Sequence, residues 1–105
     1  MSEGLDRLFA TIASRKGADP GTSYTAKLLA AGVEKCARKF GEEATEAVIA
    51  AIKQDRSELA KESADVLYHL AVLWAASGIT PEEVYAVLKS REGMSGLEEK
   101  ASRKS

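Results

Sequence analysis

Two acidic clusters, Glu42-Glu43-Ala44-Thr45-Glu46 and Glu62-Ser63-Ala64-Asp65, flank a short polar break at Lys53-Gln54-Asp55-Arg56-Ser57. On helices, Glu43 and Glu46 share a face, and so do Glu62 and Asp65. The break has a length that joins two antiparallel helices. Folding about Gln54 brings Glu43 level with Asp65 and Glu46 level with Glu62, because the members of each pair are equally distant from the turn. Four facing carboxylates repel one another unless positive charge sits among them. A hard divalent cation with oxygen ligands meets that need, and Mg²⁺ is the usual one where phosphates are handled. Asp65 sharpens the point: it lies between Ala64 and Val66, where its helix becomes apolar, and an unpartnered buried carboxylate is costly. The plain alternative is a solvated acidic face, since Glu is a good helix former.

The rest of the chain reads as helix too. Two prolines and eight glycines punctuate a sequence rich in Ala, Leu, Glu and Lys, which predicts an all-α fold of about five helices. The first runs from about Glu3 to Lys16, with Leu5, Leu8, Phe9 and Ile12 at helical spacing. Gly17 to Ser23 is a loop by turn chemistry. A short helix follows from Tyr24 to Ala31, capped by Ser23 or Thr22 and ended by Gly32. The third, Val33 to Lys53, carries an apolar stripe of Val33, Ala37, Phe40, Ala44, Ala47, Val48 and Ala51. Gly41 inside it costs about 1 kcal/mol relative to Ala, for a close helix contact, a slight bend, or backbone room beside the acids. Asp55-Arg56-Ser57-Glu58 resembles a capping box, opening a fourth helix that runs to about Ser77 before Gly78. Thr80-Pro81-Glu82-Glu83 opens a fifth, to about Arg91. Residues 92–105 form a polar tail rich in Lys and Arg, mobile or docked late.

At 105 residues the expectation is one domain spanning 1–105, with limited capacity to bury a core. From Val66 to Ala76 the fourth helix is apolar on nearly every face, and a helix of that kind needs cover on all sides. Subunit contact is the expected cover, so a homodimer or a dimer of dimers completes the helix bundle. The formal charge of −1 gives no overall bias toward nucleic acid or membrane. No apolar run is long enough to span a bilayer, the N-terminus has no signal-peptide pattern, and a lone Cys36 cannot form an internal disulfide. A cytoplasmic protein is expected, with Cys36 used for packing.

Basic residues precede the acids. Lys35, Arg38 and Lys39 lie one to two turns before Glu42, while Arg15, Lys16 and Lys27 come earlier, near the loop. Phosphoryl chemistry needs cations beyond a metal, because a triphosphate brings about four negative charges; the alternative is ordinary ion pairing along the helix. His69 falls four residues after Asp65 on the same side of its helix. It either orients a carboxylate, contacts a phosphate, or hydrogen-bonds in the interior. Tyr68 and Tyr24 are core or ligand-contact candidates. There is no glycine-rich phosphate loop, no zinc spacing and no nucleophile elbow, which leaves metal-assisted attack by water.

The string Lys39-Phe40-Gly41-Glu42-Glu43-Ala44-Thr45-Glu46, followed by Glu62-Ser63-Ala64-Asp65-Val66-Leu67-Tyr68-His69-Leu70, closely resembles the phosphoribosyl-ATP pyrophosphatases, within the wider MazG-like all-α nucleotide pyrophosphohydrolases. Ser23-Tyr24-Thr25 and Ser95-Gly96-Leu97-Glu98-Glu99-Lys100-Ala101 resemble the narrower family, in its stand-alone form. The resemblance implies Mg²⁺-dependent hydrolysis of phosphoribosyl-ATP to phosphoribosyl-AMP and pyrophosphate, the second step of histidine biosynthesis. It implies Glu43, Glu46, Glu62 and Asp65 as metal ligands, with Glu42 an outer acid. A carboxylate not fully used in coordination would take the proton of the attacking water, and Glu46 is the first choice ahead of Glu43. Lys39 and Lys35, with Arg15 or Lys16 from another element, are the candidates to hold the departing pyrophosphate. The competing readings are a house-cleaning enzyme for noncanonical nucleoside triphosphates, against which the Ser95–Ala101 segment speaks, and a non-catalytic helical scaffold.

Overall fold

The computed structural model describes residues 3–93. They form five α-helices: α1 (Glu3–Ser14), α2 (Tyr24–Ala31), α3 (Val33–Ile52), α4 (Arg56–Ser77) and α5 (Pro81–Ser90). No strand occurs among the described residues, so the all-α expectation holds. The resemblance carried by Ser95–Ala101, and nearly all of the polar tail, lie outside them. No helix among the described residues is long and apolar enough to cross a membrane.

Local chemistry sets the boundaries. α1 stops at Ser14 rather than Lys16: Arg15 and Lys16 donate to the carbonyls three residues back, and Gly17 at φ 83° turns the chain away. The following loop is built on Asp19, whose side chain accepts from Gly21 N–H while its carbonyl accepts from Thr22 and Ser23. Ser23, not Thr22, then caps α2 by accepting from Ala26 N–H. A single residue, Gly32, separates α2 from α3, and its φ of 98° is open only to glycine at low cost. The α3–α4 turn is equally tight. Gln54 N–H returns to the Ala51 carbonyl and Asp55 N–H to that of Ala50, the paired bonds of a Schellman ending. Gln54 takes the left-handed position at φ 60°, the only non-glycine with positive φ among the described residues. At α5 the full capping box forms between Thr80 and Glu83, with Pro81 at the first position.

The antiparallel α3–α4 hairpin is the largest helix pairing, and α1 and α2 pack across it. Ile12 from α1, Leu28 from α2, Cys36 from α3 and Ala71 and Val72 from α4 make the core, with Leu8, Phe9, Leu29, Tyr68 and Leu73 against it. Cys36 packs as expected: its thiol donates to the Leu28 carbonyl at 3.3 Å, and burial pushes its pKa up. α4 is thus the central helix, and α1, α2 and α3 already cover most of its apolar circumference. Only Leu67 among its large apolar residues stays largely exposed. α5 is held more lightly, through a hydrogen bond from Tyr85 Oη to Asp6 of α1.

The predicted stripe of α3 is displaced. Its inward line is Cys36, Phe40, Glu43, Ala47 and Ala50, while Val33, Ala37, Val48 and Ala51 are exposed. Phe40, Ala44 and Ala47 of the predicted stripe are half-buried, but apolarity alone missed that the face turned to α4 includes an acid. Three of the exposed apolar side chains of α3, Val48, Ile49 and Ile52, gather near the turn, the last 77% exposed.

Gly41 is not a close helix contact. A Cβ built there would meet nothing within 4 Å. Gly41→Ala is therefore expected to stabilise the metal-free fold by about 0.5–1 kcal/mol in urea unfolding, the helix-interior penalty of glycine. A destabilised variant would mean that the glycine serves the isolated fold in some other way.

Candidate metal centre

The hairpin brings three of the four predicted acids together. One carboxylate oxygen each from Glu43, Glu62 and Asp65 lie within 4.8 Å of one another, and all three side chains are half-buried. Glu43 reaches the group from the inward line of α3. Glu62 and Asp65 come from the first half of α4, one turn apart. Glu46 does not join them. It is exposed and lines an adjacent cleft of about 190 Å³ that also receives Glu62, Glu58, Asp55 and Lys53. It shares that cleft with Glu62, and its carboxylate is not one of the converging trio.

Glu58 is the acid that sequence reading placed elsewhere. It reads as the closing member of a capping box, and half of that box forms, with Asp55 accepting from Glu58 N–H at 3.0 Å. The reciprocal bond is missing because Asp55 N–H is already committed to Ala50. The Glu58 carboxyl instead shares a hydrogen bond with Glu62, one turn on. That bond, first among the causes, pushes the Glu62 carboxyl up to about 7, with burial and the charges of Glu58, Asp65 and Glu43 adding to it. The i, i+4 spacing was the available signal.

Glu42 is not part of the trio. It pairs with Lys39 at 3.2 Å, and this bond pushes the Lys39 ammonium up and the Glu42 carboxyl down. Lys39 and Lys35 share a groove between α2 and α3 with Lys27 and Tyr24. Lys16 lines a different cleft, with Gly17, Pro20 and Ala26, and exposed Arg15 lines none of these clefts.

His69 lies inside. It is 6% exposed, with Tyr68 and Tyr24 edge-on to its ring at centroid distances of 4.9 and 6.4 Å. Its Nδ1 is the one buried side-chain polar atom without a hydrogen-bond partner among the described residues. Burial pushes its pKa down, against the pull of Glu43 and Asp65. Tyr68 is fixed beside it by a hydrogen bond between its hydroxyl and that of Thr25 on α2.

Three half-buried carboxylates at this separation suit a hard cation: they supply only oxygen donors, and their repulsion is relieved by positive charge. The proton on Glu62 is a partial substitute. The sign of its effect follows from the two states. The folded chain holds this proton to about 7 and the unfolded chain releases it near 4.5, so the stabilising contribution is full below the lower value and lost as pH rises through the upper. Relative to Glu62→Gln, the metal-free protein is expected to lose melting temperature between about pH 5 and 8. A divalent cation should restore it at the alkaline end. Parallel pH profiles for the two proteins would remove Glu62 from this role.

The match to known proteins covers nearly all of the chain. Residues 5–92 match the family model described as phosphoribosyl-ATP pyrophosphohydrolase. A protein of Cereibacter sphaeroides is 64% identical over 99 residues, covering 94% of this chain and 96% of its own. One from Paracoccus denitrificans is 64% identical over 101 residues, covering 96% and 94%. One from Dinoroseobacter shibae is 65% identical over 99 residues, covering 94% and 97%. Each of the three carries the name phosphoribosyl-ATP pyrophosphatase.

Proposed function

The chain belongs to the phosphoribosyl-ATP pyrophosphohydrolase family, and on that premise we propose that it hydrolyses phosphoribosyl-ATP to phosphoribosyl-AMP and pyrophosphate. The reaction is a step of histidine biosynthesis, carried out in the cytoplasm. The observation that carries the reading beyond kinship is the convergence of Glu43, Glu62 and Asp65 on one point of the hairpin.

These three carboxylates would hold Mg²⁺, which would supply positive charge for the phosphate oxygens and polarise the phosphorus under attack. Glu46, outside the trio but beside it, accepts the proton of the attacking water. The oxygen of that water bonds to phosphorus, the anhydride between the α and β phosphates breaks, and pyrophosphate leaves with the electron pair. Lys39, kept in place by Glu42, offers its ammonium to the phosphates. Buried His69 packs beneath Tyr24 and steadies the α2 side of the site. A second copy of the chain covers the apolar residues left outside at Val48, Ile49 and Ile52, with a dimer or a dimer of dimers as the working form.

Turnover of phosphoribosyl-ATP, measured beside a panel of nucleoside triphosphates, tests the substrate. Preference for the panel would replace this reading with a house-cleaning one. The division of labour among the acids has its own signature. Glu46→Gln is expected to lower kcat roughly 10²–10⁴-fold while Mn²⁺ binding persists, whereas Asp65→Asn should abolish saturable Mn²⁺ binding itself. Equal loss of Mn²⁺ in both would return Glu46 to the ligand set.

A further inference from the structure

The groove between α2 and α3 is lined by three lysines. Tyr24, Lys27, Leu28 and Ala31 form one face of α2 at helical spacing, and Lys35 and Lys39 form one face of α3. The one-residue joint at Gly32 turns the two faces toward each other. The result is a concavity of about 160 Å³ lined by Tyr24, Leu28, Ala31 and three lysines. Lys39 is paired with Glu42, but Lys27 and Lys35 make no ion pair among the described residues. Isolated surface lysines point into solvent and need no partner. Three lysines lining one walled groove, with only one of them paired, leave it net cationic, a setting that suits an anion.

The groove also adjoins the carboxylates. Tyr24 stands against His69, which lies within the fields of Lys39, Glu43 and Asp65 alike. A ligand in the groove is therefore next to the candidate metal centre without sharing its donors. From this placement we infer that the groove is a dedicated phosphate subsite, in which Lys27 and Lys35 hold a phosphate group of the substrate that the metal centre does not. The inference rests on the nucleotide reading above. Phosphoribosyl-ATP offers two such groups: the terminal phosphates of its triphosphate arm and the phosphomonoester of its second ribose. The chemistry of recognition is the same for both, an ammonium-lined pocket for a compact dianion.

The experiment separates the two sources and does not require turnover. Full-length, metal-free protein is titrated with inorganic pyrophosphate and, separately, with ribose 5-phosphate, while backbone amide shifts are followed by NMR. Saturable shifts at residues 24–39 with one of the two probes, lost in the Lys27→Ala/Lys35→Ala double variant and kept in Lys89→Ala on α5, support the subsite and name the group it takes. In steady state, the double variant should raise KM for phosphoribosyl-ATP about tenfold or more, with the loss falling on KM rather than kcat. No localised shift with either probe, together with an unchanged KM, overturns the inference. Failure of the underlying reading looks different: the native protein would not turn over phosphoribosyl-ATP, or Asp65→Asn would turn it over normally.

Discussion

Mutual repulsion among the carboxylates on the inner faces of α3 and α4 is the constraint around which this molecule is arranged. Packing two helices together favours apolar contact, yet the contact face holds Glu43, Glu62 and Asp65. Such a face stays closed in only a few ways: a proton is retained, a cation is bound, or the helices are forced together by packing elsewhere. The metal-free chain uses the first and the third. Glu62 keeps its proton to about 7, and the large apolar contacts sit at the opposite end of the hairpin, where Ile12, Leu28, Cys36, Ala71 and Val72 meet.

That division of the hairpin explains the placement of everything else. One end is a core crossed by α1 and α2, and it holds α4 against α3 where no charge interferes. The acids occupy the middle. Toward the turn little is buried apart from Ala50, and apolar side chains are left facing outward. Lys39, one turn before Glu43 on α3, is itself oriented by the Glu42 carboxylate.

Much of this was legible in the chain. Helix order, the Ser23, Asp55 and Thr80 caps and the hairpin itself follow from local signals, since capping and turn chemistry act over three or four residues. The convergence of Glu43 with Asp65 followed from counting outward from the turn. What failed to read was set by side-chain direction and by tertiary choice. Helical spacing puts Glu46 beside Glu62 but does not say which three of the four carboxylates converge. Glu58 satisfies a capping pattern, and only the commitment of Asp55 N–H to Ala50 shows why its carboxyl turns to Glu62. The stripe on α3 was misjudged because hydrophobicity cannot announce that a charged residue belongs inside. Lys27 meets Lys35 and Lys39 only through the angle imposed at Gly32, which no periodicity encodes.

The Gln54 turn contributes no ligand, yet it acts as the ruler of the site. Three residues between two long helices leave no slack, so the turn fixes both the depth and the rotation at which α4 enters beside α3. Each residue of a helix advances it about 1.5 Å and about 100°. An insertion or deletion there would thus swing Glu62 and Asp65 off Glu43 unless it were absorbed locally, and the left-handed Gln54 leaves little room to absorb it. In this chain, loop length at the hairpin tip sets whether the three carboxylates meet.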